Sequence, residues 1–213
     1  MMFTDVRRMA KCGALALSLT LLAGCSALPT AEEPETNFYV LGSIPANAAS
    51  IADAPSTPPL VVDLAAVRLP QYLQRSQVVT RVDENRLSLS EFEQWGGSLE
   101  KNMMRALAAN LGVLLGTPDV HMEARRLPDG VDARVEVEVM QFERGPDGRA
   151  LLAAQWRILD DEEKPLTSKI TNLQSAPVGA LDTMQTTITA MTELLAELST
   201  QIATAIVAAV ASR

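Results

Sequence analysis

Residues 131–139 alternate between apolar and charged side chains, and this pattern limits the folds open to the chain. The apolar positions are Val131, Ala133, Val135, Val137 and Val139. Because successive side chains of a strand point to opposite faces, the stretch predicts a β-strand with one buried face and one face in water. Turn-forming residues at 146–148 and 160–165 separate it from apolar stretches at 150–159 and 167–173, which predicts an antiparallel meander of three strands.

Shorter stretches of β type precede the meander. Residues 60–67 are apolar on both faces, which predicts a strand in the interior of its sheet. Residues 78–82 and 86–89 flank a turn of Asp, Glu and Asn, an arrangement typical of a hairpin. A short strand is predicted at residues 38–41.

Two helices complete the predicted fold. Apolar residues recur at spacings of three and four from Leu99 to Leu115, Ser98 can cap the first turn, and Gly116 ends the helix. A second amphipathic helix is predicted over residues 180–211, and its polar face argues against a C-terminal membrane anchor. We therefore predict an α/β chain of the α+β type, a single two-layer domain whose mixed or antiparallel sheet carries two helices, the last one long.

Composition excludes several classes of function. The chain has 18 basic and 26 acidic side chains, a formal charge of −8, so it offers no electrostatic surface for nucleic acid. With one histidine and two cysteines it has no plausible metal set, and it carries no motif of a cofactor or nucleophile site. His121 is predicted to be an edge or surface residue. We expect a non-enzymatic protein without cofactor that acts through its surfaces.

The N-terminus has the features of a secretory signal. Three basic residues precede an apolar stretch at 13–22, which as a helix of about ten residues spans roughly half of a hydrocarbon core. Residues 22–25, Leu-Ala-Gly-Cys, resemble the bacterial lipobox, which implies removal of residues 1–24 and a diacylglyceryl thioether on Cys25. The alternative is that Cys25 is an ordinary small buried residue after a standard leader.

The predicted organisation then has three parts. Residues 1–24 are a cleaved signal peptide, residues 25–37 are a lipidated flexible tether, and residues 38–213 are the domain. Removing the signal takes away three basic and one acidic side chains and leaves a formal charge of −10. Ser26 stands where inner-membrane lipoproteins carry aspartate, so by that resemblance the protein is anchored in the outer membrane and faces the periplasm.

An ordered set of segments resembles the ABC-type transport auxiliary lipoproteins. The set comprises residues 38–41, 69–75 (Leu-Pro-Gln-Tyr-Leu-Gln-Arg), 78–81, Asn85, Trp95, Leu99, 106–111 and 190–203. The Leu-Pro-x-Tyr-Leu segment is the most characteristic member of the set. The proline-rich loop at 45–59 departs from the family pattern, and its role is not given by the resemblance.

The resemblance implies an accessory role in intermembrane lipid transport. The partners it implies are an MCE-domain tunnel protein with its inner-membrane complex and further copies of the chain in a homo-oligomeric ring. Pro70, Tyr72, Leu73 and Arg75 are the predicted contact residues, with core packing as an equal alternative for Tyr72 and Leu73, and Trp95 is predicted to lie in the core. An alternative function is that of a pilotin-like or outer-membrane assembly lipoprotein that escorts a protein client.

Overall fold

A mixed eight-stranded sheet with two helices forms the domain in the computed structural model, which describes residues 34–51, 59–123, 130–178 and 184–213. The strands are β1 Asn37–Tyr39, β2 Val62–Arg68, β3 Gln77–Asp83, β4 Arg86–Trp95, β5 Val120–Met122, β6 Ala133–Arg144, β7 Arg149–Leu159 and β8 Pro165–Pro177. The helices are α1 Leu99–Leu115 and α2 Met184–Ala211, and a 3-10 turn covers Gln71–Leu73. The predicted α+β class is confirmed.

The strand β6 is the centre of the sheet, and one of its edges is shared between two partners. β7 and then β8 follow antiparallel on the other edge, as the predicted meander requires. On the shared edge, β2 pairs parallel with β6 as far as Glu138, and β3 pairs with β6 only through Thr80 and Arg144. β5 lies beyond β2, while β4 and β1 lie beyond β3. The sheet therefore forks at β6.

The fork divides the domain into two regions. We call β2, β5, β6, β7 and β8 with both helices the body, and β1, β3 and β4 the arm. In the body, α1 packs on β2 and β5, α2 packs on β6, β7 and β8, and the helices contact each other. The hairpin of β3 and β4, predicted from its turn, belongs to the arm.

The apolar faces of the body meet in one core. Val135, Val137 and Val139 of β6 are at most 2% exposed, so the alternation that predicted the strand also identified its buried face. The helix α1 has the predicted bounds because Ser98 Oγ accepts a hydrogen bond from the Lys101 N–H and Gly116 ends the helix with φ of 64°. The start of the second predicted helix, at residues 180–183, lies outside the described residues.

The arm buries less of its apolar surface than the body. Of the eight large hydrophobic residues that are exposed in the described chain, five belong to β3, β4 or the segment of β1. They are Phe38, Val40, Val82, Leu89 and Phe92. Val78, Val79 and Trp95 nevertheless join the core, so the arm is an ordered part of the domain with an apolar exterior.

The helix α2 is long and apolar enough, by length and composition alone, to cross a membrane. A single helix of this kind is weak support for a span, because a core helix passes the same test. Its buried residues include Ile188, Leu195, Ile202 and Ile206, and they face the sheet and α1. The packing of α2 therefore accounts for its apolar composition.

Candidate partner-binding site

The segment between β2 and β3 lies at the fork of the sheet. Pro70 has φ of −64° and begins the 3-10 turn, in which the Leu73 N–H donates to the Pro70 carbonyl at 3.0 Å. Proline is well suited to this position because its ring fixes φ and its nitrogen carries no hydrogen that would need an acceptor. The Tyr72 hydroxyl reaches the Met140 carbonyl of β6, 3.3 Å away, where the register of β6 with β7 is irregular. The turn is thereby positioned over the edge of β6.

A buried carboxylate holds this segment to the sheet. The side chain of Glu143, on β6, is fully buried. Its Oε2 accepts a hydrogen bond from the Tyr72 hydroxyl at 2.7 Å, and its Oε1 accepts one from Arg81 Nε at 2.9 Å and lies 2.8 Å from Arg81 Nη2 as an ion pair. Gln141 Nε2 and the Phe142 N–H donate at 3.0 Å each. A carboxylate buried in this way needs such a set of donors, because an unpaired buried charge is strongly destabilising.

The same cluster fixes the protonation of its partners. Burial, together with the hydrogen bond and negative charge of Glu143, raises the pKa of Tyr72, so the hydroxyl remains a donor. For Arg81, burial lowers the pKa, but the hydrogen bond and the charge of Glu143 oppose this effect, and the net shift of the pKa is upward. Both groups therefore keep their protons, and the cluster joins the turn, the arm and the body by charge-assisted hydrogen bonds.

The structure places the four predicted contact residues at different depths. Arg75 is exposed and Pro70 is half-buried. Tyr72 is half-buried with its hydroxyl directed at Glu143. Leu73 is 2% exposed and joins the core, so in this conformation its side chain is not available to a partner. For Leu73 the core alternative is the one that the structure shows.

A groove of about 530 Å³ opens beside the turn. It is lined by Leu69, Gln74, Arg75, Ser76, Trp95, Gly97, Ser98, Leu99 and Glu100. The groove therefore joins the family-like segment to the end of β4 and to the first turn of α1. Trp95 is 3% exposed, as its predicted core position requires, and it also forms part of the wall.

The charges on the groove are of both signs. Arg75 and Glu100 both line it, while the rest of the lining is apolar or neutral. An apolar base with a few charged groups at the rim is typical of protein interfaces. Gly97, with φ of 107°, lies between Trp95 and Ser98 and makes the sharp passage from strand to helix that closes one side of the groove.

Sequence reasoning missed Glu143 and most of the groove. A glutamate close to a strand of alternating apolar and charged residues is expected to face water. The burial of Glu143 depends on Tyr72, which lies 71 residues earlier in the chain. Ser98 was identified only as the cap of a helix. The available signal was that Gly96, Gly97 and Ser98 follow Trp95 directly, which places an aromatic side chain at a chain reversal.

The other candidate residues bring no further site together. Cys25 and the signal segment lie outside the described residues. His121 is half-buried on the short strand β5. Within the described ranges no three His, Cys, Asp or Glu side chains are grouped so as to hold a metal ion. The acidic run at 160–163 forms a turn in which Asp160 Oδ1 accepts from the N–H groups of Glu162 and Lys164.

Comparison with known proteins gives one family, and the solved structures that share the fold include the two described here. The model of the ABC-type transport auxiliary lipoprotein component matches residues 39–203. A crystal structure of an uncharacterized protein has a TM-score of 0.62 at 19% identity, covering 80% of this chain and 97% of its own. A protein of the DUF330 family from Xanthomonas campestris has a TM-score of 0.64 at 11% identity, covering 79% of this chain and 93% of its own. No curated protein sequence matches significantly.

Proposed function

We propose, for a chain that belongs to the ABC-type transport auxiliary lipoprotein family, a specific place in transport between membranes. The protein is anchored in the outer membrane through Cys25, faces the periplasm, and docks the end of an MCE-domain tunnel protein whose inner-membrane complex drives lipid movement. The family is one of transport accessory proteins and not of enzymes. The role proposed here is accordingly that of an adaptor.

One observation carries this proposal. The segment of residues 69–75, which is the most family-like part of the sequence, lies beside a groove of about 530 Å³ and is held there by the fully buried Glu143. A buried charge held by four hydrogen bonds and an ion pair is a costly way to fix a surface turn unless the shape of that surface matters. The turn supplies Arg75 to the groove, and Trp95 supplies an aromatic wall.

The test is site-specific crosslinking in cells. A photocrosslinking amino acid replaces Arg75, which lines the groove, and in a matched control it replaces Arg86, whose side chain is 69% exposed at the far end of the β3–β4 hairpin. We expect an MCE-domain protein to be captured from position 75 and not from position 86. Capture of an unrelated client from position 75 would instead support an escort function, and equal capture from both positions would refute a docking role for the groove.

The anchor is tested separately. If residues 1–24 are a signal and residues 25–37 a tether, Cys25→Ser should abolish acylation and leave the protein uncleaved. The mass of the purified native protein should correspond to a chain that starts at a triply or doubly acylated Cys25. An unmodified Cys25 after cleavage would contradict the lipoprotein assignment and leave the fold untouched.

A homo-oligomeric ring is part of the same proposal. A tunnel end of several subunits is best met by a partner with matching symmetry. The strand β8 supports this, because its 13 residues pair with β7 on one side and with no other strand of the described chain. Native mass spectrometry of the acylated protein in detergent should give one closed oligomer, whereas a strict monomer would contradict the ring.

A further inference from the structure

The segment that enters the domain displays two large apolar side chains to solvent. Phe38 is 67% exposed and Val40 is 61% exposed. Tyr39 between them packs against the core, and its carbonyl accepts a hydrogen bond from the Gly96 N–H at 2.7 Å. Because side chains alternate along a strand, anchoring Tyr39 directs Phe38 and Val40 outward on the same side. The exposure of both residues is thus built into the strand.

The partner of Phe38 in the neighbouring strand is uncharged. Phe38 lies opposite Gln94 in the parallel pair of β1 and β4. The acidic Glu93 is on the other side of β4, where its carboxylate interacts with the Tyr39 hydroxyl. A chain with 44 charged side chains therefore presents an apolar corner, formed by Phe38 and Val40, where the domain begins.

The position of this corner in the chain selects its partner. Phe38 follows Cys25 by 13 residues. A tether of that length has a root-mean-square span of about 20 Å and a fully extended reach of about 44 Å, so an acyl chain on Cys25 would confine Phe38 to the neighbourhood of the lipid headgroups. The net negative charge offers no long-range attraction to anionic lipid, so any contact must be made by apolar side chains at short range.

We infer that Phe38 and Val40 insert into the interfacial layer of the membrane that holds the anchor, so that the arm faces the lipid. The inference rests on the proposed acylation of Cys25. It adds an orientation to the tethered domain: the Trp95 groove, which begins one residue beyond the Gln94 partner of Phe38, is held next to the bilayer. A tunnel docked in that groove would then open at the lipid surface.

The experiment uses the acylated protein in vesicles of phosphatidylethanolamine and phosphatidylglycerol. After processing, Cys12 is gone and Cys25 is blocked, so a new cysteine is the only free thiol. Phe38→Cys and Val40→Cys carry an environment-sensitive fluorophore, and Met122→Cys is the control, because Met122 is 48% exposed but lies on β5 of the body. All three positions are exposed, so the substitutions should leave the fold intact.

We expect a blue shift of the fluorophore at positions 38 and 40 and a several-fold loss of its intensity when the lipid carries a nitroxide. The fluorophore at position 122 should show neither effect. If positions 38 and 40 respond no more than position 122, the inference is overturned. It is also overturned if they respond only after the MCE-domain partner is added, since the corner would then be a protein interface. Flotation of the protein with the vesicles reports the anchor independently, and crosslinking from position 75 reports the docking role.

Discussion

The body and the arm both contain apolar strand residues, but they bury them to different extents. In the body, the helices cover the apolar side chains, and residues such as Leu64, Leu107 and Leu195 are fully buried. In the arm, neither helix of the described chain packs closely on β3 or β4, and Leu89 and Phe92 remain exposed. The difference shows that an apolar strand residue contributes to stability only where a second layer covers it, and is available for contact elsewhere.

The link between the two regions, which we call the joint, consists of the contacts that hold β3 and the Tyr72 turn to the end of β6. β3 meets β6 through one residue pair, Thr80 and Arg144, and through the contact of Arg81 with Glu143. One strand thus carries two Glu–Arg pairs of similar length in different settings. Glu143 is fully buried and Arg81 is 23% exposed, whereas Glu136 pairs with Arg157 at 2.7 Å with exposures of 17% and 51%.

The largest expected effect distinguishes the interiors of the two regions. Leu195→Ala removes a fully buried side chain of α2 and should lower the free energy of unfolding by about 3 kcal/mol. Leu89→Ala is the matched control in the arm, where the side chain is 44% exposed, and should cost less than about 0.5 kcal/mol. Urea unfolding followed by tryptophan fluorescence measures both. Equal losses would contradict the difference in burial between the two regions.

The second prediction concerns the joint. Glu143→Gln leaves the Arg81 guanidinium without its anion in a largely buried site and should cost about 3 kcal/mol. Glu136→Gln, on the same strand, breaks the more exposed pair with Arg157 and should cost less than about 1 kcal/mol. Hydrogen exchange should show faster opening of the β3 amides in the first variant only. Uniform acceleration over the whole sheet would argue that Glu143 serves the body and not the joint.

A smaller effect is expected when only one donor of the joint is removed. Tyr72→Phe keeps the ring and deletes the hydroxyl that donates to Glu143, so unfolding should become easier by about 1 kcal/mol. In a Glu143→Gln background the same change should cost less, because the two groups share one hydrogen bond. Additive costs in this double-mutant cycle would show that the 2.7 Å contact contributes nothing to stability.

The smallest expected effect is absent at neutral pH and appears only at alkaline pH. It again distinguishes the arm from the body. Both tyrosines of the chain, Tyr39 and Tyr72, lie in the arm or its joint. Burial, then the hydrogen bond and the charge of Glu93, raise the pKa of Tyr39 from 10.0 to about 12. The folded chain therefore holds this proton more tightly than the unfolded chain, so stability is complete below pH 10 and is lost as the pH rises from 10 towards 12.

The measurement is unfolding free energy against pH, with tyrosinate absorbance as the second observable. Tyr39→Phe should reduce the alkaline loss, and Tyr72, whose pKa is also raised, should account for the remainder. Exchange should accelerate first in the arm. A loss of the same size in the Tyr39→Phe protein would locate the titrating group elsewhere.

Local signals in the sequence predicted much of the fold. The bounds of α1 follow from Ser98 and Gly116, and the buried face of β6 follows from its valines. The predicted strand ended at Val139, whereas β6 continues to Arg144, because the irregularity at Met140 breaks the alternation on which the prediction depended. A prediction from alternation follows a single strand and fails where the alternation is interrupted.

The candidate site was predictable only in part, for a different reason. The segment of residues 69–75 was identified, and Arg75 and Trp95 do line one groove. The partners that fix it come from distant parts of the chain: Arg81 and Glu143 are separated by 62 residues. Which charged residue is buried depends on the parallel pairing of β3 with β6, and no local pattern encodes that pairing.

The fork in the sheet also has a consequence for the order of folding. The strands β6, β7 and β8 are joined by short turns and close small loops, so their meander can form early. The contacts that dock the arm, by contrast, need a finished end of β6 and the closure of a loop of more than 60 residues. The arm should therefore be the last part of the domain to acquire native structure, and the groove that depends on it would exist only once folding of the chain is complete.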